Sequence, residues 1–416
     1  MKKFIIAFII ILLAYCDVIF PQSGSSYTRL GLGDLTLSYS GRKIGMGQLG
    51  VSVADYDYLS NINPASWYRI NKTRVEFGLG YNGAIFSDNQ QSKFYSETDF
   101  EGFTFGFPVS KPNGIFVALG LLPVTDVSYN IVQSYSALDP QAGDYSINFE
   151  GKGGLSKLFI GGTYELPFGV VTGAQFDYYF GSINYLSKIR FNGESGFPVD
   201  FTKSYEISGV GGTFGIISPD FSKLLDLNLI SDLRFGVSFA TNAKLYVDTV
   251  ITSLAFFSLD TLNYGKSKIE MPFRIITGMS LVLNKKYLLS LDYLYQPWSK
   301  YSMSGNQSGY LRDAMKVSLG FEYRPEKALG LSFWEEILWR AGVSYEQTQY
   351  KLNNEGIDHY TIAGGFSVPL SQENFLDVGL QYGIKGTTEY NLIKENTFKL
   401  YLGISLGELW FIRFDK

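Results

Sequence analysis

Histidine and cysteine are the residues most often asked to do chemistry, and this 416-residue chain has one of each, His359 and Cys16. A nucleophilic site needs a base beside a hydroxyl or thiol and a third group to orient the base. His359 has Asp358 and Tyr360 as neighbours, but nothing in the order of residues supplies it with a triad. One histidine and one cysteine are too few for a zinc or copper site. Gly78, Gly80 and Gly83 fit the G-x-G-x-x-G spacing of a dinucleotide loop, yet no helix follows to receive a pyrophosphate. Gly78 and Gly80 instead share one face of a strand, where they leave room for a segment packed inside. The acidic pairs Asp55/Asp57 and Asp139/Asp144 lack the spacing of a calcium loop and read as solvated loop charges. No catalytic residue, metal or cofactor is expected, and the chain does not read as an enzyme.

The elements that would position any site are strands. In Thr397–Leu406, Phe398, Leu400, Leu402, Ile404 and Leu406 share one parity, and Lys399, Tyr401, Gly403 and Ser405 share the other. Period-two alternation makes a strand with one oily and one polar face. The same pattern runs through Val75–Asn82, Leu233–Phe239, Lys316–Arg324, Trp339–Glu346 and Leu376–Lys385. It predicts about fourteen strands, near 73–85, 96–108, 114–128, 154–166, 169–190, 201–217, 231–250, 266–283, 286–300, 311–324, 337–350, 357–369, 375–387 and 395–406. Most exceed the ~5–6 residues usual in globular sheets and reach the ~9–11 that cross a bilayer at a tilt. Tight links are expected at 110–114, 166–169 and 284–286, with longer polar links between them at 86–95, 129–153, 191–200, 251–265 and 301–310. Two links, 218–230 and 325–336, break that alternation; they carry Leu224, Leu225, Phe333 and Trp334 and suit short helices at an interface.

Composition agrees with a membrane barrel. Charged residues are 18% and aromatics 16%, with 45 Gly and only 13 Pro. Mean hydropathy is +0.02, too low for a helical bundle and consistent with alternating lipid-facing and lumen-facing residues. A soluble secreted sandwich shares the composition. It is disfavoured by the even number of long strands, the export signal, and aromatics near strand ends, where Trp298, Trp339 and Trp410 are candidate girdle residues. The polar parity then faces the lumen and carries Arg234, Lys316, Arg340 and Lys399, along with Asp377. A formal charge of −4 without a basic stripe argues against nucleic acid.

Residues 1–22 read as a secretory signal peptide, two lysines followed by an apolar run too short to span a bilayer, with cleavage between Ala14 and Ser26. Leu13-Ala14-Tyr15-Cys16 faintly fits a lipoprotein box, although Tyr15 is bulky for it. The expected organisation is signal peptide 1–22, an N-terminal plug or hatch over 23–72, a fourteen-stranded barrel over 73–406, and a tail over 407–416.

Before the first strand lie Gly45-Met46-Gly47-Gln-Leu-Gly-Val-Ser-Val-Ala54 and Leu59-Ser-Asn-Ile-Asn63-Pro64-Ala65-Ser66. Pro64 fixes its own φ and pushes Asn63 toward an extended conformation, so the chain must turn there. Small residues, a methionine and an Asn-Pro-Ala turn just ahead of a barrel resemble the N-terminal hatch of the FadL/TodX family of outer-membrane transporters for hydrophobic compounds. That resemblance implies an all-β, transmembrane antiparallel barrel of about fourteen strands with a small plug in its lumen, and it carries the family's motif onto Asn63, Pro64 and Ala65. The third strand holds Gly120-Leu-Leu-Pro123. Proline cannot donate to a ladder, so Pro123 marks a bulge, a kink or an unpaired stretch, or else lies beyond the bilayer where pairing ends. The family resemblance implies an inward kink at this strand, with Gly120 and Pro123 opening a lateral gap toward lipid.

The expected function is passive uptake of small hydrophobic molecules, such as long-chain fatty acids or hydrocarbons, across the outer membrane of a Gram-negative-type bacterium. Plug and C-terminus would lie on the periplasmic side. Outer-membrane lipid and the barrel assembly machinery are the expected partners. The tail 407–416 departs from the family's usual ending and looks like that of related barrels associated with protein export. The alternative is therefore a barrel serving as a protein-binding component of an export system, with a secretion complex as partner.

Overall fold

The computed structural model describes residues 24–37, 39–136, 144–191, 197–255, 258–307, 309–325, 332–371 and 373–408. The proposed signal peptide, Cys16, Asp139, Trp410 and most of the tail lie outside the described residues. Fourteen strands form one closed antiparallel sheet. They are β1 (Thr73–Ser87), β2 (Ser92–Ser110), β3 (Ile115–Tyr135), β4 (Tyr145–Glu165), β5 (Val171–Phe191) and β6 (Val199–Ile217). Next come β7 (Ile230–Ala240 and Ala243–Ala255), β8 (Ser258–Met271 and Arg274–Leu283), β9 (Tyr287–Gln296 and Ser302–Met303) and β10 (Asn306–Gln307 and Ala314–Tyr323). The last are β11 (Leu338–Leu352), β12 (Glu355–Pro369), β13 (Phe375–Lys385) and β14 (Lys394–Glu408). Closure is made by β14 on β1, from Lys394 opposite Ser87 to Glu408 opposite Thr73. The final strand therefore runs two residues past the expected boundary.

The alternation resolves as a barrel's does. In β14, Phe398, Ile404 and Leu406 are exposed, Ile404 at 41%, whereas Ser405 is 1% exposed and Tyr401 is buried. In β10, Val317 and Leu319 point out while Lys316, Ser318 and Glu322 are buried inside. A continuous apolar exterior over a charged interior is stable where hydrocarbon, not water, wets the outside. No helix among the described residues is long and apolar enough to cross a membrane.

Three details differ from the sequence reading. The links at the rim opposite the start of β1 are shorter than expected, because β3 and β4 stay paired out to Tyr135 opposite Tyr145 and β7 and β8 out to Ala255 opposite Ser258. Extending a hairpin satisfies backbone groups that a loop would leave to water. Asn353 and Asn354 close one such link with positive φ, as a two-residue hairpin turn requires. Trp298 is no girdle residue. Pro297 interrupts β9, and the 3-10 turn Trp298–Lys300 carries the indole into the lumen, where it is 1% exposed. Similar interruptions fall at Thr241–Asn242 and Pro272–Phe273 of the neighbouring strands. The inner face beyond these breaks is apolar: Tyr179, Ile183, Ile207, Leu245, Val247, Ile269 and Trp298 pack with Tyr27 and Leu32 of the N-terminal segment into one cluster.

Candidate functional site

The N-terminal segment lies inside the barrel and meets its wall at glycines. A short helix, Gly41–Gly45, is capped by Ser40, whose side chain accepts from the Lys43 amide. A Cβ on Gly342 of β11 would lie 2.3 Å from the Gly47 nitrogen, and one on Gly320 of β10 would lie 2.7 Å from the Met46 carbonyl oxygen. A Cβ on Gly365 would sit 3.5 Å from the Gly45 Cα. Gly45, Met46 and Gly47 thus run backbone to backbone along the wall, where any side chain would hold them off. Gly78 and Gly80 make a different kind of space: their missing side chains admit Tyr401 and Glu101, two inward residues of the wall itself.

Asn63 caps the 3-10 helix Pro64–Arg69. Its Oδ1 accepts from the Ala65 amide at 3.0 Å, and its Nδ2 donates to the Val51 carbonyl at 2.8 Å and to Ile216 and Val237 of the wall at 3.3 and 3.4 Å. Gly215 and Gly173 leave the space that Asn63 and Ala65 occupy. Pro64 sits at the first helical position, where no donor is needed.

Ion pairs fix the plug's remaining faces. Glu322 of β10, wholly buried, accepts from Arg42 at 2.8 and 2.9 Å, from Arg340 at 2.7 Å and from Arg324 at 2.6 Å. Asp55 pairs with Arg42 at 2.7 Å and Arg324 at 3.0 Å, and Asp377 pairs with Arg340 at 3.2 Å. Tyr58 lies beneath two of these guanidiniums, with Arg42 4.7 Å and Arg340 5.6 Å from its ring centre. Asp55 and Asp57, expected as solvated charges, are ion-pair partners, Asp57 of Arg74. Burial opposes ionisation of Asp55, but the Arg42 and Arg324 charges overcome it and hold the carboxyl well below its usual range. Asp292 of β9 takes the Gly50 and Val51 amides, both at 2.8 Å. Lys43 donates to the Gly50 carbonyl at 2.9 Å, and burial, with Arg42 beside it, pushes its ammonium down to about 8.

The four charges expected to face the lumen all have partners there. Arg234 bonds Asp232 at 2.5 Å, and Asp232 also holds Arg69 of the plug. Lys316 bonds Glu346 at 3.0 Å and the Gln48 side chain, Arg340 bonds Glu322, and Lys399 bonds Glu101 at 2.5 Å.

The wall parts at β3. From Ser110 opposite Ile115 to Phe103 opposite Leu121, β2 and β3 are paired; among the described residues no ladder pair joins them beyond Leu121. β3 continues along β4, with a bulge between Pro123 and Thr125. A second bulge, at Glu101 of β2, falls at the same height and turns that carboxylate into the lumen. The freed edge of β3 is partly taken by the N-terminal segment: Asp34 and Leu35 pair with Asp126 and Thr125, and the Thr36 amide donates to the Val124 carbonyl at 2.9 Å. Gly120 and Pro123 thus flank the last pair before the separation. A cavity of about 310 Å³ occupies this place, lined from β2 by Glu97, Asp99, Phe100 and Glu101, from β3 by Pro123, Thr125 and Asp126, and by Asp34, Lys385, Glu395 and Lys399. His359 also lines it.

Sequence reasoning missed Arg42, Asp292 and the acidic lining. A signal existed for Glu101: the outward aromatics shift from Phe94 and Phe100 to Phe103, a parity change that marks a bulge between them.

A closed fourteen-stranded barrel with its N-terminal segment seated in the lumen is the FadL/TodX architecture, and solved structures of that kind superpose on most of the chain. The CymD monoaromatic hydrocarbon channel is 15% identical, with a TM-score of 0.56, over 90% of this chain and 99% of that one. A Pseudomonas aeruginosa FadL homologue is 11% identical, with a TM-score of 0.59, over 90% and 98%. The Ralstonia pickettii toluene transporter TbuX is 15% identical, with a TM-score of 0.56, over 89% and 98%. At such identities the likeness is one of fold. A comparison with curated proteins found no match. The BamG family model matches residues 1–415, so the chain belongs to the BamG family.

Proposed function

We propose that this protein is an outer-membrane barrel for passive uptake of small hydrophobic molecules, with the plug facing the periplasm and the β2–β3 gap as the exit. The observation that carries this reading is the end of the β2–β3 ladder at Leu121, beside a buried apolar cluster that includes Val124 and Val127. Below the gap, the plug and its ion pairs close the direct way through. A solute that enters the barrel gains about 25 cal/mol for each Å² it buries, and the part of the β3 edge that the N-terminal segment leaves free offers it a route sideways into lipid. The hydrocarbon and toluene channels that share the fold support the solute class.

A second reading, a protein-binding barrel in the assembly or export machinery, draws on the rim from which β1 starts. There Leu224, Leu225, Leu229 and Trp334 project from the 218–229 and 324–337 links, each more than 60% exposed. Uptake of a labelled alkane into proteoliposomes separates the two. Saturable uptake that changes when residues 45–66 are deleted fits transport; no uptake, with co-purification of an assembly or secretion complex, fits the second reading and overturns the first.

A further inference from the structure

The cavity in the wall gap is strongly acidic, and its charges are only partly matched. Lys399 is engaged by Glu101 Oε1, and Lys385 bonds both oxygens of Asp34 at 2.8 Å. Among the described residues Glu97 and Asp99 receive only neutral hydrogen-bond donors, Ser128 Oγ and Asn82 Nδ2. Asp126 has no hydrogen bond or ion pair from its side chain among the described residues, and it stands directly opposite Asp34 in the short plug ladder, where like charges repel. Glu101 is 2% exposed, and its Oε2 has no hydrogen-bond partner among the described residues. A buried carboxylate oxygen left without a donor is costly unless a ligand supplies one.

We propose that this cavity binds the ammonium head of a cationic amphiphile and rejects the carboxylate of an anionic one. The inference rests on the uptake reading, to which it adds the charge class of the solute. An alkylammonium carries three N–H donors, and the Asp126, Asp99 and Glu97 carboxyls on the cavity lining are acceptors for them. Leu35, Leu37 and Pro123 on the same lining give its chain an apolar wall beside the gap. A compact divalent metal fits less well, because no three carboxylate or imidazole side chains among the described residues converge closely enough to ligate one. A fatty acid's carboxylate would have to compete for Lys399 and Lys385, which Glu101 and Asp34 already engage.

The test is a three-way comparison of dodecylamine, 1-dodecanol and dodecanoate, titrated into the purified full chain in nonionic detergent and followed by calorimetry and native mass spectrometry. The amine is expected to bind about tenfold or more tighter than dodecanoate, with the alcohol between, and the spread is expected to shrink as salt is raised. Asp126→Asn combined with Glu97→Gln should bring the amine down to the alcohol. Should a variant fail to fold, the wild-type ranking and its salt dependence decide the matter. Equal binding of all three, or tighter binding of dodecanoate, overturns the head-group inference and leaves the uptake reading standing. Absence of binding by all three, the neutral alcohol included, brings down both.

Discussion

Glu322 is the residue on which plug docking most depends, and Glu322→Gln gives the sharpest measurement. The carboxylate receives four N–H donors from three guanidiniums, those of Arg42, Arg340 and Arg324. Glutamine keeps the volume but offers one oxygen and turns an amide donor toward groups that only donate. The set then holds three cations against Asp55 and Asp377. Removing one member of a buried ion set typically costs about 3–5 kcal/mol, because the remaining charges stay buried without compensation. At about 1.36 kcal/mol per tenfold, this is roughly 2.2 to 3.7 powers of ten in an equilibrium constant. The cost should appear in the plug and not in the barrel. Arg340 keeps Asp377, and the strand ladders use no atom of Glu322's side chain, whereas Arg42 belongs to the plug and loses its bidentate partner. Hydrogen exchange read by mass spectrometry is the assay. Protection over residues 41–58 is expected to fall by about a hundredfold or more, with peptides from β5 unchanged. Arg42→Met should then cost much less in the Glu322→Gln background than in the wild type. Unchanged protection over 41–58, or costs that simply add, would refute the assignment of Glu322 as the plug's anchor.

Further outcomes follow from other contacts. Gly342→Ala places a methyl 2.3 Å from the Gly47 nitrogen, a backbone atom that cannot swing away; a loss of about 1–3 kcal/mol in plug docking is expected, read by the same exchange experiment. Asn63→Ala removes the cap on the 3-10 helix and leaves the Val51 carbonyl without its partner, which should lower stability by about 2–4 kcal/mol in a thermal or denaturant titration. Lys43 titrates near 8 when the plug is docked, against an ordinary value of 10.5. The undocked state therefore holds more protons between pH 8 and about 10, and docking should strengthen as pH rises through that window. Above 10 the sign reverses, because burial raises the phenols of Tyr39, to about 12, and Tyr58, so the undocked state loses those protons first. Protection over 41–58 that declines from pH 8 to 10 would contradict the burial assigned to Lys43.

By itself, the sequence determined the sheet. Period-two alternation is a local property, so strands such as β10 and β14, their outward parity and even their number could be read from neighbouring residues. The same parity put Arg234, Lys316, Arg340 and Lys399 on the inner face. Alternation could not say what those charges meet. Arg42 and Glu322 stand 280 positions apart, and only closure of the barrel sets a plug helix against β10. Pro123 announced an irregularity in β3, but parting of β2 from β3 depends on which strand edges the N-terminal segment takes. Trp298 shows the limit most plainly: its aromatic character suited a girdle, and a strand interrupted at Pro297 beside a buried apolar cluster took it inside. Local pattern decides which face of a strand is oily; which distant side chains share a dry space is decided by tertiary packing, because burial and charge compensation are properties of the assembled interior.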